Sequence, residues 1–144
     1  HSPAFAKNIA GKESLAIAFG RALQMTNILK DSPEDQLRGV SWKPKDIQQT
    51  DLLIIAHQKL EDSLRYIRCI PKSEPGIRRF CFLAFGLAVL TLKQIAQRQQ
   101  FQEGSEVKLS RAQVSRFYLF TKFAVRSDWV MELFFRLQAR SLKA

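Results

Sequence analysis

A chain of 144 residues with 46% hydrophobic content is long enough to bury one core without disulfides or a structural metal, and it reads as a single region, residues 1–144. Its formal charge of +10 points to an anionic partner, whether a phosphorylated substrate, a lipid surface or nucleic acid. The basic residues are spread along nearly every segment, and no zinc finger, RNA-binding aromatic motif or helix-turn-helix signature occurs, which argues against nucleic acid. Cys69 and Cys81 lack C-x-x-C spacing and histidine partners, so they read as core thiols of a reducing compartment, not as zinc ligands.

The opening His1-Ser2-Pro3-Ala4-Phe5 is neither a signal-peptide start nor an apolar anchor, and without an initiating Met the chain reads as a fragment. Periodicity predicts a first helix over about Glu13 to Lys30, with Leu15, Ala18, Phe19, Ala22, Leu23 and Met25 on its apolar side. Its end opens the one stretch where polar groups recur at helical spacing. On a continuous helix Gln24, Asn27, Asp31, Glu34, Asp35 and Arg38 fall within an arc of roughly 100°. Carboxylates this close repel one another, and a divalent cation with oxygen ligands offsets that repulsion. One reading is therefore half a magnesium-diphosphate site, with Asp31, Glu34 and Asp35 as metal ligands. The other is a helix start, with Ser32 as N-cap, Pro33 at the first helical position and Glu34 and Asp35 favoured by the helix dipole. Pro33 is expected to kink or divide a continuous helix, so that Asp31 closes one segment and Asp35 opens the next. Spacing alone leaves both readings open.

Gly39 and Pro44 break helix in the connection from Arg38 to Asp46, where Trp42 is placed to pack over the site. A half-buried helix begins near Asp51, carries Leu53, Ala56, Leu60, Leu64 and Ile67, and stops at Pro71 and the Glu74-Pro75-Gly76 turn; His57 within it reads as a structural histidine. From Ile77 to about Gln100 runs the most hydrophobic helix, expected at the centre of a bundle. Its apolar run, Phe80 to Leu92, is shorter than the ~20 residues of a membrane span. Ser110-Arg111-Ala112-Gln113 is a capping box that opens another helix. Ser127-Asp128 caps the last, whose Trp129, Leu133, Phe134 and Leu137 are expected to face inward. The fold class is all-α.

The blocks Gln24-x-x-Asn27-x-x-x-Asp31-x-x-Glu34-Asp35, Arg38-Gly39 with Trp42 and Pro44, Tyr66 with Ile70-Pro71, Arg79-Phe80-Cys81, and Gly104-Ser105-Glu106-Val107-Lys108-Leu109-Ser110-Arg111 occur in a telling order. Over about Glu13 to Phe135 the chain resembles the C-terminal half of the squalene/phytoene synthase family, squalene synthases in particular. The resemblance implies an isoprenoid synthase-type helical bundle, C-terminal half only, whose cavity holds two prenyl diphosphates between aspartate-rich motifs bridged by Mg2+. It implies that Asp31 and Asp35 are catalytic and, with Glu34, bind Mg2+. It also implies that Gln24, Asn27, Lys30 and Arg38 contact the substrate, and that Lys108 and Arg111 belong to a basic loop for diphosphate or the cofactor NADPH.

The implied reaction is head-to-head condensation of two farnesyl diphosphates to squalene through a cyclopropyl diphosphate. Ionising an allylic diphosphate requires neutralisation of the departing charge. The carbocation then needs a dry pocket, for which Phe80, Phe82, Phe85 and Leu87 are candidates, with plain core as the other reading of that face. The family's first aspartate-rich motif does not occur in these 144 residues, so the resemblance implies a missing N-terminal half as partner and a fragment inactive by itself. The stretch between Trp42 and Asp51 is shorter than relatives usually have. The rivals are phytoene or dehydrosqualene synthesis without a reductant, and a non-catalytic basic helical module for nucleic acid or an acidic membrane surface. The expected location is cytoplasmic, with peripheral membrane contact left open by the aromatic and basic residues of the last helix.

Overall fold

Side-chain caps set three of the helix starts. In the computed structural model, which describes residues 2–42, 44, 46–98 and 100–142, Ser2, Ser110 and Ser127 each accept a backbone N–H three residues on, from Phe5, Gln113 and Val130. At Ser110 the box is reciprocal, because Gln113 Oε1 accepts the Ser110 N–H at 2.8 Å. Prolines stand at the start of two helices, one of them the helix capped by Ser2, and a missing N–H costs nothing there. The elements in order are α1 (Pro3–Ile9), α2 (Glu13–Leu37), α3 (Gln49–Cys69), α4 (Pro75–Gln97), a 3-10 turn (Gly104–Val107), α5 (Arg111–Ala124), α6 (Asp128–Gln138) and a C-terminal 3-10 turn (Ala139–Leu142). No strand occurs among the described residues.

The hydrophobic helix is central, as expected: α2, α3, α5 and α6 all pack on α4. Phe82, Phe85, Val89, Leu92 and Ile95 of α4 are completely buried. Phe82 meets Phe117 of α5 with ring centroids 5.6 Å apart, and Phe117 meets Phe134 of α6 at 4.9 Å. Gly86 makes room for this cluster, since a Cβ there would lie inside the Phe117 ring. With 23 residues, α4 exceeds its apolar run and is, among the described helices, long and apolar enough to cross a membrane; half of that stretch is nevertheless packed inside the bundle, which makes it the core helix.

A single side chain fastens the far end. Arg78, 1% exposed, donates from Nε to the Val125 carbonyl at 2.7 Å and from Nη1 to the Ile70 carbonyl at 2.7 Å, and its Nη2 pairs with Asp128. It thus joins the end of α3, the start of α4 and the α5–α6 corner. His57 is buried with its ring 5.2 Å from that of Phe135, in keeping with a structural histidine. Cys69 and Cys81 are both free thiols, and burial pushes the Cys81 thiol up.

Three expectations are corrected. Pro33 neither ends nor divides the first helix, because α2 runs without a break to Leu37. Phe80 is 72% exposed and is no part of an interior wall. On α6 the buried positions are Met131 and Phe135, so Trp129, Leu133 and Leu137, spaced four apart on the opposite side, face outward; only Phe134 of the expected set is partly buried. That helix has two apolar stripes, and the one carrying Met131 and Phe135 is the one that meets the core.

Candidate functional site

The way α2 ends decides how its acidic residues are to be read. Gly39 takes a left-handed φ of +74°, the Val40 N–H donates to the Asp35 carbonyl at 2.8 Å, and the Gly39 N–H donates to the Gln36 carbonyl at 3.1 Å. This is a Schellman closure at Arg38. Ser32 therefore lies inside a helix and caps nothing, which removes the helix-start reading. Asp31, Glu34 and Asp35 occupy the last two turns, where the helix dipole opposes negative charge, and the last turn carries no basic residue. Such an arrangement costs stability, which the fold offsets in part through the Lys30 ammonium at Asp31 and the Gly104 N–H at Glu34.

Along that face a hollow of about 250 Å3 is lined by Gln24, Asn27, Ile28, Asp31, Asp35 and Trp42. Asp31 and Asp35 stand one helical turn apart and are half-buried. Trp42 is 70% exposed yet forms one wall, in the place foreseen for it. Beside the hollow, a groove of about 260 Å3 runs between α2 and α4, and Asn27 lines both. Leu23, Ala84, Leu87 and Ala88 give the groove an apolar surface. Its two threonines have hydroxyls turned to their own helices: Thr26 donates to the Ala22 carbonyl and Thr91 to the Leu87 carbonyl, each at 2.8 Å. Lys30 also lines the groove, with its Nζ 3.4 Å from Asp31 Oδ1, so a positive charge sits where the groove meets the acidic pair.

Other candidates fall elsewhere. Glu34 does not line the hollow; its Oε1 accepts the Gly104 N–H at 2.9 Å and ties the Gly104–Val107 turn to α2. Gly104 is needed for that approach, since a Cβ would come within 3.1 Å of the Lys30 carbonyl and 3.3 Å of Asp31 Oδ1. Arg38 is exposed at the C-cap of α2 and lines neither space. Lys108 and Arg111 are exposed just beyond the Gly104–Val107 turn and line neither. Of the four proposed cavity walls, Phe82 and Phe85 are core, Phe80 is exposed, and only Leu87 reaches the groove.

The expected triad of metal carboxylates is not assembled: among the described residues no three of His, Cys, Asp and Glu come together. What remains is the Asp31 and Asp35 pair. That pair suits magnesium, which is commonly held by one or two carboxylates and keeps its other positions for water and phosphate oxygens. Sequence reasoning placed a wall on α4 and named Leu87, but it missed Ala84, Ala88 and Thr91 beside it. Their signal was present, since Ala84, Leu87, Ala88 and Thr91 follow the three- and four-residue spacing of one helix face.

An acidic helix end, an amide-lined hollow and an adjoining apolar groove together suit a ligand with a diphosphate head and a hydrocarbon tail. Residues 4–53 match the squalene/phytoene synthase family. The matched stretch spans α1, α2 and the first turn of α3, and so contains Gln24, Asn27, Lys30, Asp31 and Asp35. No curated protein and no solved structure gave a match for the chain. The match covers about a third of the chain and is a likeness to that family over this stretch, and the all-helical architecture is consistent with an isoprenoid synthase-type fold.

Proposed function

We propose that this chain binds a prenyl diphosphate through Mg2+ and serves the head-to-head condensation of two farnesyl diphosphates to squalene through a cyclopropyl diphosphate. The observation that carries the reading is the unbroken course of α2, which sets Asp31 and Asp35 beside a hollow that shares Asn27 with an apolar-walled groove. Magnesium, when bound, supplies the positive charge that neutralises a departing diphosphate. Asp31 and Asp35 would hold it. Gln24 and Asn27 offer amide N–H donors to diphosphate oxygens or ordered water, and Lys30 adds a cation at the mouth of the groove. Leu23, Ala84, Leu87 and Ala88 keep water from the hydrocarbon tail, a requirement of any carbocation route. Reduction to squalene draws a hydride from NADPH, for which Lys108 and Arg111 are the proposed basic contacts. The rest of the cavity belongs to the N-terminal half that the family resemblance implies.

A thermal shift with a non-hydrolysable farnesyl diphosphate analogue tests this. The midpoint should rise when analogue and Mg2+ are both present and stay put with either alone, and Asp31→Asn or Asp35→Asn should abolish the rise. A shift indifferent to Mg2+ and to both substitutions would refute the assignment. In the complete enzyme, product analysis with and without NADPH separates squalene from phytoene or dehydrosqualene synthesis.

Peripheral contact with an anionic membrane is part of the same proposal. It is supported by the outward stripes Leu119 and Phe123 on α5 and Trp129, Leu133 and Leu137 on α6, which are interspersed with Lys122, Arg126 and Arg136. A cytoplasmic location is supported by the two free thiols.

A further inference from the structure

A second and larger concavity, about 640 Å3, opens between α3, α6 and the C-terminal 3-10 turn, and it shares no lining residue with the α2 site. Four arginines line it: Arg65 and Arg68 of α3, Arg136 of α6 and Arg140 of the turn. Glu61 and Glu132 also line it, so four guanidiniums face two carboxylates; with Asp62, which pairs with Arg65 from outside the lining, an excess of one positive charge remains.

The arginine side chains reach solvent, and two of them share one carboxylate anchor. Glu132 Oε1 accepts from Arg136 Nε at 2.9 Å while its Oε2 accepts from Arg68 Nη1 at 3.4 Å, so one carboxylate bridges α6 to α3 and fixes two guanidinium forks. Each fork keeps further N–H donors beyond the one Glu132 takes. Arg65 is steadied on its own helix by Asp62 at 3.3 Å. Beneath them Leu64 and Phe135, both buried, give the cleft an apolar floor.

Guanidiniums gathered around one concavity repel one another, and a concave wall concentrates their field. Planar forks match phosphate oxygens two at a time, which a scattered set of lysines would not do. The apolar floor leaves room for a small organic group beside the anion. We propose that this cleft is a binding site for a small molecule bearing a phosphate or pyrophosphate group, separate from the magnesium-dependent site on α2. Free pyrophosphate esters and lipid headgroups share this chemistry, and the test separates them.

Isothermal titration of the 144-residue chain in EDTA, which silences any metal-dependent binding at Asp31 and Asp35, is the experiment. The titrants are inorganic pyrophosphate, glycerol 3-phosphate and vesicles containing phosphatidate. Saturable binding of at least one is expected, with the soluble phosphates or the vesicles identifying the source by their relative affinity. Arg68→Gln combined with Arg136→Gln should weaken it at least about tenfold, the value of a lost charge-assisted hydrogen bond. Because that pair also holds Glu132, Arg140→Gln is the second variant; it leaves the α3–α6 bridge intact and should weaken binding about two- to fivefold. No saturable binding of any of the three in EDTA, or binding indifferent to both variants, would overturn the proposal. Either outcome is independent of the Mg2+-dependent shift that tests the α2 site.

Discussion

Arg78 and Arg79 are adjacent cations that nothing in the local sequence distinguishes, yet one is the most deeply buried charge described and the other lies at the surface. Arg79 stacks its guanidinium 4.3 Å from the Tyr118 ring centre and donates from Nε to Thr121 Oγ1 at 3.0 Å. Arg78 instead satisfies carbonyls from the end of α3 and from the α5–α6 corner and pairs with Asp128. Removing it would leave those acceptors buried and Asp128 without its partner, so Arg78→Met should lower stability by about 3–5 kcal/mol in urea unfolding. Arg79→Met should lose less, about 1 kcal/mol, because its side chain is only partly buried and the groups it leaves can reach water. Residue-scale roles of this kind depend on where the carbonyls at the α3 terminus and the α5–α6 corner end up, and no periodicity encodes that.

The Gly104–Val107 turn offers a second test at this scale. Backbone N–H groups of Gln102 and Glu103 donate to Glu106 Oε1 at 2.8 and 3.1 Å and hold its carboxyl below the usual glutamate range, with Arg98 assisting. A depressed value means that the contribution is complete above the unfolded-state pKa and is lost as pH falls through the folded-state value. The turn should therefore loosen only in acid below the ordinary glutamate range. NMR titration of the Gln102 and Glu103 amides should show a midpoint below that range, absent in Glu106→Gln. A midpoint at or above it would contradict the geometry.

At the scale of the element, α2 is the informative case. Proline inside a helix costs on the order of 3 kcal/mol, which is why the sequence suggests a break at Pro33. The helix continues because α2 is packed on α3 and α4 up to that position, with Leu29 buried one turn before, because Glu34 just beyond it is tied to the Gly104 N–H, and because Gly39 provides a separate, well-formed end further on. The arc of Gln24, Asn27, Asp31 and Asp35 was legible from spacing; its assignment to a helix C-terminus was not. That assignment has a signed consequence. Without metal, Asp35→Asn removes a charge the dipole opposes and should raise stability by about 0.3–1 kcal/mol, measured as a higher thermal midpoint at low salt. The same substitution should abolish the Mg2+-dependent shift with the analogue. A residue kept for folding alone would not show these opposite signs.

At the scale of the whole molecule, the outward apolar stripes of α5 and α6 explain why the expected inward set on α6 was wrong at three of its four positions. A helix with apolar residues on two faces gives the sequence no means of saying which face meets the core, and contacts with α3 and α4 select the one bearing Met131 and Phe135. The other face remains available. Sedimentation with anionic vesicles should recover the chain in the pellet at low salt, and Phe123→Ser with Trp129→Ser should reduce that fraction severalfold; binding that survives both substitutions would be purely electrostatic.

Helical class, the central position of the Phe80 to Leu92 segment, the caps at Ser110 and Ser127, and the amide and carboxylate face of the opening long helix follow from short-range patterns, because helix periodicity and capping involve residues only three or four apart. Tertiary structure alone decided that Glu34 holds the Gly104 turn instead of the hollow, that Ala84 and Ala88 of α4 line the groove while Phe82 and Phe85 are core, that Arg78 is buried while Arg79 is not, and that four arginines from α3, α6 and the last turn share one cleft. These depend on contacts between residues tens of positions apart, and their geometry exists only once the helices have packed.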